Sequence, residues 1–216
     1  MHTYTIKPNE LQSIALAMSN KSIRYYLCGV FFEKYKDGAI SMAATDGHRM
    51  HTLNHKAADD VVDSFILRDK TIDKIRAMMR LAKKRTRIWA DKAIITITHN
   101  NRNLTVQIGL PATDNCEAKL DHFANFTSTA IDGTFPDYRR LLVQSDIYEN
   151  TDLTKLDASF LADFGKANAL LSDSRSNAVI IAPNAAGQGA IRVTLDGHPS
   201  FIGLLMPMRI NGKKEY

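Results

Sequence analysis

Cysteine is scarce in this chain. Cys28 and Cys116 are the two in 216 residues, and they lie far apart and outside any Cys-x-x-Cys. Neither a disulfide framework nor a zinc ribbon follows from that count. No apolar run approaches the roughly 20 residues that a membrane-spanning helix needs; the longest, such as Phe201 to Met206, stop far short. The start, Met1-His2-Thr3-Tyr4, has neither the basic nor the apolar segment of a secretory signal, so a reducing, cytoplasmic compartment is expected and no membrane partner. No Walker loop, dinucleotide fingerprint or Ser/His/Asp order is present, which leaves nucleotide and acyl chemistry without a motif and calls for no cofactor. What remains is ordinary for a soluble globular chain of one or two domains: 44% hydrophobic and 24% charged residues. A net charge of +5 and a pI near 9.2 mildly favour an anionic partner.

Hydrophobic periodicity divides the chain into three similar units. In the first, Thr3 to Lys7 alternates as a strand, and Pro8 and Asn9 open a helix to about Ser19 with Leu11, Ile14, Ala15 and Met18 on one face. Ile23 to Phe32, Ile40 to Ala44 and Met50 to Asn54 are expected strands, joined by the turns Lys36-Asp37-Gly38 and Asp46-Gly47. The second unit has a strand at Ser64 to Leu67, an N-cap at Asp69 and a helix from Lys70 to about Lys84 that buries Ile72, Ile75, Met79 and Ala82. Strands are expected at Thr86 to Trp89, Ala93 to Thr98 and Leu104 to Ile108. Pro111 to Phe126 is expected as an irregular connection with one short strand, before Ser128 to Ile131 leads to Phe135.

After a polar linker at Gln144 to Thr151, the third unit offers a strand at Leu153 to Leu156 and a helix capped by Asp157 that carries Phe160, Leu161, Phe164, Ala167 and Leu171. Strands at Ala178 to Ala182, Ala190 to Leu195 and Phe201 to Ile210 complete it. Two such units pack as one α+β domain, with helices on one face of antiparallel sheets. The expected division is therefore a complete domain over 1–143 and a half domain over 144–216. The odd third unit needs cover from another chain or a partner protein.

The helix of the second unit is basic over several turns. Lys70, Lys74, Arg76, Arg80, Lys83, Lys84, Arg85 and Arg87 face only Asp69 and Asp73. Cations near a helix C-terminus are favoured by the dipole, and most charge runs are simply solvated. An excess of one sign over several turns instead suits a column of phosphates, contacted without reading bases. No aromatic residue interleaves with these cations, so stacking on single strands is not indicated.

His48, His51 and His55 form a His-x2-His-x3-His pattern beside Asp46, Asp59 and Asp60. On a helix they would share a face and suit a metal-dependent hydrolase. The surrounding residues predict a strand instead. There His48 and His51 point to opposite faces, and His51 and His55 stand about 13 Å apart, so a metal site is disfavoured.

Four stretches taken together resemble one family. Arg24-Tyr25-Tyr26-Leu27-Cys28-Gly29-Val30, Thr45-Asp46-Gly47-His48-Arg49, Phe135-Pro136-Asp137-Tyr138-Arg139-Arg140 and Met206-Pro207-Met208-Arg209 are similar, in this order, to the bacterial sliding clamps, the β subunits of DNA polymerase III. The resemblance implies a clamp fold built from β-α-β-β-β repeats. The chain would be a shortened form without the first of three domains and about half of the third. It implies a non-enzymatic processivity or tethering role on double-stranded DNA, with DNA polymerase, clamp loader and other carriers of clamp-binding peptides as partners, and a homo-oligomer. The peptide pocket implied by position comprises Leu27, Thr45, Gly47, His48, Arg49, Met50, Pro136, Arg140, Leu141, Leu204, Met206, Pro207, Met208 and Arg209. In that reading Met206 and Met208 supply adaptable apolar surface, while Arg49 and Arg209 fix polar or carboxylate ends. Arg24, Lys70, Lys74, Arg76, Arg80, Lys83 and Lys84 are the implied DNA contacts. An interaction protein that keeps the pocket but not the ring, and competes for clamp-binding partners, is the alternative.

Overall fold

Burial of Tyr4 and Ile6 on one side makes His2–Ile6 the first strand, β1, and Pro8, preset for a first helical turn, opens α1 (Pro8–Ala15). The Lys7 amide donates to the Glu10 carboxylate at 2.9 Å and closes the helix start. The computed structural model describes residues 1–56, 60–85, 92–110, 122–144, 155–172, 178–182 and 189–208. α1 ends before the expected Ser19, and the backbone tightens into three-residue bonds from Ala17 to Ile14 and Met18 to Ala15. A second departure lies at Tyr25–Leu27, expected as strand and found as a single 3-10 turn. Its amides are satisfied locally, Leu27 on Arg24 at 2.9 Å and Cys28 on Tyr25 at 3.0 Å. β2 (Gly29–Tyr35) starts only at Gly29, where any Cβ would come within 2.5 Å of the Leu67 carbonyl oxygen.

β3 (Ile40–Thr45), β4 (Arg49–Leu53) and β5 (Val61–Arg68) follow the predicted pattern. α2 (Asp69–Arg85) buries Ile72, Ile75, Met79 and Ala82 as their spacing requires. Asp69 is its first residue, and its carboxylate takes the adjacent Lys70 amide at 2.7 Å instead of one further into the helix. The strand expected at 86–89 lies outside the described residues. After α2, the second unit's described strands are β6 (Ile94–Asn100), β7 (Asn103–Gly109) and β8 (His122–Thr129), so the strand expected from Ser128 begins earlier and ends at Thr129. α3 (Arg139–Gln144), α4 (Ala158–Leu171), β9 (Val179–Ala182), β10 (Ile191–Leu195) and β11 (His198–Leu205) complete the order. Asp157 caps α4 as expected, accepting from the Ser159 amide at 2.8 Å.

Among the described strands all pairings are antiparallel, in a four-stranded sheet of order β1-β6-β7-β8 and a seven-stranded sheet of order β5-β2-β3-β4-β11-β10-β9. The first two units thus exchange their leading strands: β1 completes the sheet of the second unit and β5 that of the first. Tyr4 and His99 both hydrogen-bond the Asp63 carboxylate at 2.8 Å, pinning the corner where the sheets meet. Burial, and then the Asp63 carboxylate, push the Tyr4 hydroxyl pKa up. The third unit joins through β11 against β4, from Phe201 opposite Leu53 to Leu205 opposite Arg49. α1, α2 and α4 cover one face of the sheets, and the main core lies beneath them. A smaller cluster occupies the opposite face of the seven-stranded sheet.

Candidate peptide pocket and nucleic-acid face

The seam between β4 and β11 brings the distant motifs together. Strand alternation sends Met50, Ile202 and Leu204 to the face away from the helices, where they join Ala43, Ile66, Phe135, Tyr138 and Leu142. Phe31 stacks on Phe135 with centroids 4.8 Å apart. The lone acid of β2, Glu33, anchors the segment leading into α3. It accepts from the Tyr138 hydroxyl at 2.8 Å and the Ser41 hydroxyl at 3.1 Å, and it pairs with Arg139. Burial, followed by the Glu33 charge, raises the Tyr138 pKa. A buried carboxylate with this many donors holds its neighbours to one geometry.

The turn before β4 is equally fixed. Gly47 adopts φ +94°, and Asp46 accepts from the amides of His48 and Arg49 at 2.9 and 3.0 Å. Thr45 donates its hydroxyl to the Arg49 carbonyl at 2.7 Å and accepts from the Gly47 amide at 3.0 Å. Beyond the end of β11, the Met206 amide donates to the His48 carbonyl at 2.9 Å. Met50 and Leu204 are buried, whereas Met206, Met208 and Leu141 stand 43–46% exposed. His48 and Pro136 are exposed, Pro207 is half-buried, and Arg140 projects into solvent beside Asp137 at 2.9 Å. Leu27 is buried in the 3-10 turn, its carbonyl accepting from the Ser19 amide at 3.1 Å. Arg209 lies outside the described residues.

Arg49 does not match its expected role. Its guanidinium lies on the helix side of the sheet, ion-paired with Asp163 of α4, donating to the Leu16 carbonyl at 2.8 Å and centred 4.6 Å from the Phe160 ring. With its side chain 11% exposed and so engaged, it ties β4 to α1 and α4 and is not free to hold a ligand carboxylate. Alternation explains this, since Met50 joins the outer cluster and its neighbour must face the helices. Burial pushes the Asp163 pKa up, but hydrogen bonds from Lys166 and Arg49 outweigh it and hold the carboxyl below its usual range.

On the helix side, Lys70, Lys74, Arg80 and Lys84 of α2 are exposed and Arg76 is half-buried against Asp73 at 3.1 Å. Lys74 rests 4.1 Å from the centre of the Phe126 ring. Arg24 is exposed at the start of the 3-10 turn. The side chain of Lys83 lies outside the described set, as does Arg87.

The three histidines do not gather. His51 is fully buried, its Nδ1–H donating to the Ser13 carbonyl at 2.8 Å and its ring 4.5 Å from that of Phe164. His48 stacks 6.2 Å from Phe160, and His55 lines a shallow cleft with Ile40, Asn54 and Pro199. Among the described residues, no group of three His, Cys, Asp or Glu side chains can hold a metal ion. No described helix is long and apolar enough to cross a membrane.

Sequence reasoning missed Asp163 and the Glu33 anchor. A single acid inside the apolar run Val30-Phe31-Phe32-Glu33 was the available signal for the last; Asp163 had none, being 114 positions from Arg49.

Repeated units with helices on one sheet face, and a smaller apolar cluster on the other at a sheet seam, define a clamp-type scaffold. The family model for the DNA polymerase III beta subunit, central domain, matches residues 5–137, and the chain belongs to that family. The beta sliding clamp of Vibrio cholerae is 31% identical over 135 residues, covering 62% of this chain and 31% of that protein. That of Caulobacter vibrioides is 26% identical over 205 residues, covering 87% and 48%. The chain therefore spans about a third to a half of the length of these curated relatives. Among solved structures, the beta subunit of Streptococcus pyogenes DNA polymerase superposes with a TM-score of 0.67 at 17% identity, over 97% of this chain and 66% of that one. A Pseudomonas aeruginosa sliding clamp crystallised with a ligand gives a TM-score of 0.63, also at 17% identity, over 96% and 66%. These likenesses extend the clamp fold across the third unit.

Proposed function

We propose that this chain is a tethering factor of sliding-clamp type, an accessory of a DNA polymerase and not itself an enzyme. It touches duplex backbone with the cations of α2 and docks short clamp-binding peptides at the β4–β11 seam. The observation that carries this reading is the layout of the seam: a buried apolar floor of Met50 and Leu204 beside half-exposed Met206, Met208 and Leu141. Flexible thioethers over a fixed floor accept varied apolar anchors. The excess of exposed cations on α2 supports backbone contact without base readout. The complete domain over 1–143 and the half domain over 144–216 belong to the same proposal.

A peptide with a Gln followed by spaced Leu and Phe is expected to bind at roughly micromolar strength, about −8 kcal/mol. Met206→Ala with Leu141→Ala should weaken it by about 2–4 kcal/mol in calorimetry, and unchanged binding would reject the pocket. Replacing Arg76 and Arg80 with Glu should lower affinity for open linear duplex equally across sequences. It should also shallow the slope of log K against log salt by about one unit for each phosphate no longer neutralised. A chain that binds the peptide but is not retained on duplex at low salt is instead a competitor for clamp-binding partners.

A further inference from the structure

We propose that Glu33 is the positioning residue of the peptide pocket: its buried carboxylate sets where the Leu141 rim stands, and so how tightly a peptide docks. The inference rests on the pocket reading given above and adds to it a residue that touches no peptide. It comes from how differently the two walls of the pocket are held. One wall continues β11 and is fixed by main-chain hydrogen bonds, the Met206 amide on the His48 carbonyl at 2.9 Å and the Met208 amide on the Lys155 carbonyl at 2.8 Å. The other wall, from Phe135 to Leu142, carries no strand and lies across the outer face of the sheet. Side chains must orient it.

Apolar packing alone gives that wall no direction. Phe135 lies flat on Phe31, and Tyr138 meets both rings edge-on. Such contacts tolerate sliding, because hydrophobic attraction is non-directional. Glu33 supplies the direction. Its side chain is 5% exposed, and it takes the Tyr138 hydroxyl at 2.8 Å and ion-pairs with Arg139. Arg139 also donates to the Tyr35 hydroxyl at 3.0 Å and to the Lys56 carbonyl at 2.9 Å.

Two consecutive residues are therefore tied to β2 through one carboxylate. The amides of Leu141 and Leu142 both donate to the Tyr138 carbonyl, at 3.1 and 3.3 Å, so fixing Tyr138 fixes the turn that follows it. That turn sinks Leu142 into the outer cluster and leaves Leu141 46% exposed at the rim. Desolvation offsets much of the attraction within a buried ion pair, so this one contributes more to orientation than to net stability. A wall held in its bound position before the peptide arrives spares the cost of ordering it on binding.

Calorimetry with the peptide that bears a Gln followed by spaced Leu and Phe is the test. Glu33→Gln, which keeps the shape and removes the charge, should weaken binding about threefold to tenfold. In a Leu141→Ala background the same change should have no further effect. Ser41→Ala removes a donor to the same carboxylate, at 3.1 Å, that belongs to β3 and not to the α3 wall. It should lower the thermal midpoint and leave affinity unchanged, whereas a purely structural role for Glu33 would make affinity follow stability in both variants. Should Glu33→Gln fail to fold, Tyr138→Phe keeps the ring in its cluster, loses only the hydroxyl, and should weaken binding through Leu141 in the same way. Wild-type affinity in the variant that folds, an equal loss with and without Leu141, or a matching loss in Ser41→Ala would each overturn the proposal. The pocket reading survives those results as long as the wild type binds the peptide and Met206→Ala weakens it. A wild type that binds no peptide overturns both.

Discussion

The two faces of the β4–β11 seam, ten paired residues with the segments that flank them, are finished in opposite ways. On the helix side, Arg49, His51, Gly203 and Leu205 are sealed under α1 and α4. The Phe164 ring lies so close over Gly203 that a Cβ there would stand 2.1 Å from it. On the outer side, Met50 and Leu204 are buried too, but Met206, Met208 and Leu141 are left half in water. Charge follows the same division. Arg49 is consumed by Asp163 and the Leu16 carbonyl, while Arg140 stays in solvent. One strand pair can therefore be a sealed joint on one face and carry half-exposed apolar neighbours on the other, because alternation lets the two sets of side chains be chosen independently.

The joint is where the largest effect is expected. Phe164→Ala should cost about 3–5 kcal/mol in urea unfolding, the range for a buried aromatic. Gly203→Ala alone should cost about 1–3 kcal/mol by overpacking against the same ring. Combined, the two should cost clearly less than their sum, since removing the ring vacates the space the methyl needs. Additive losses would mean that Phe164 does not clamp the seam.

His51 gives the next effect, through pH. Burial, opposed by the Ser13 carbonyl and aided by Arg49, pulls its pKa down to about 4 from an ordinary 6.5. Above pH 6.5 neither folded nor unfolded chain binds the proton, and stability is flat. As pH falls from 6.5 toward 4, only the unfolded chain takes it up, so stability should drop by up to about 3 kcal/mol. His55, lowered mainly by partial burial, tilts the same window in the same direction. Asp163, whose pKa is lowered, loses its contribution only below the ordinary carboxylate range. Urea midpoints measured at pH 7.5 and 4.5 should therefore differ more in wild type than in His51→Gln, where only the smaller tilt from His55 remains. Equal slopes in both proteins would place the buried ring's cost elsewhere.

How much of this was legible follows from how local each signal is. The spacing of Ile72, Ile75, Met79 and Ala82 fixed α2, and Asp46-Gly47 announced the turn that Gly47 makes at φ +94°. Tyr25–Leu27 misled, because an apolar aromatic run fits a 3-10 turn as well as a strand; the crowding at Gly29 that delays β2 comes from Leu67, far along the chain. β8 was blurred by a polar, Thr- and Asn-rich composition typical of an edge. At the seam, the resemblance put Arg49 and Met50 in one pocket, and strand alternation, applied in the sequence only to the histidines, is what separates them. Which of the two faces water depended on α4 docking over Arg49, and Asp163 is 114 positions away. Pairings at that range leave no trace in periodicity.

The smallest stability effect should fall on the outer rim, and it sharpens the comparison most. Met206 and Leu141 are almost half exposed, so truncating each to Ala removes little apolar surface from the folded core. Their backbones are held independently of the side chains, Met206 by its amide on the His48 carbonyl at 2.9 Å and Leu141 by its amide on Tyr138 at 3.1 Å. The double variant should therefore unfold within about 0.5 kcal/mol of wild type, as surface substitutions do. The same variant is the one expected to lose peptide affinity by a far larger margin. Leu27→Ala offers a contrast, since Leu27 is buried and its truncation should cost stability whatever it does to binding. If the rim variant were destabilised as strongly as the Leu27 variant, Met206 and Leu141 would be packing residues, and the two faces of the seam would differ in degree only.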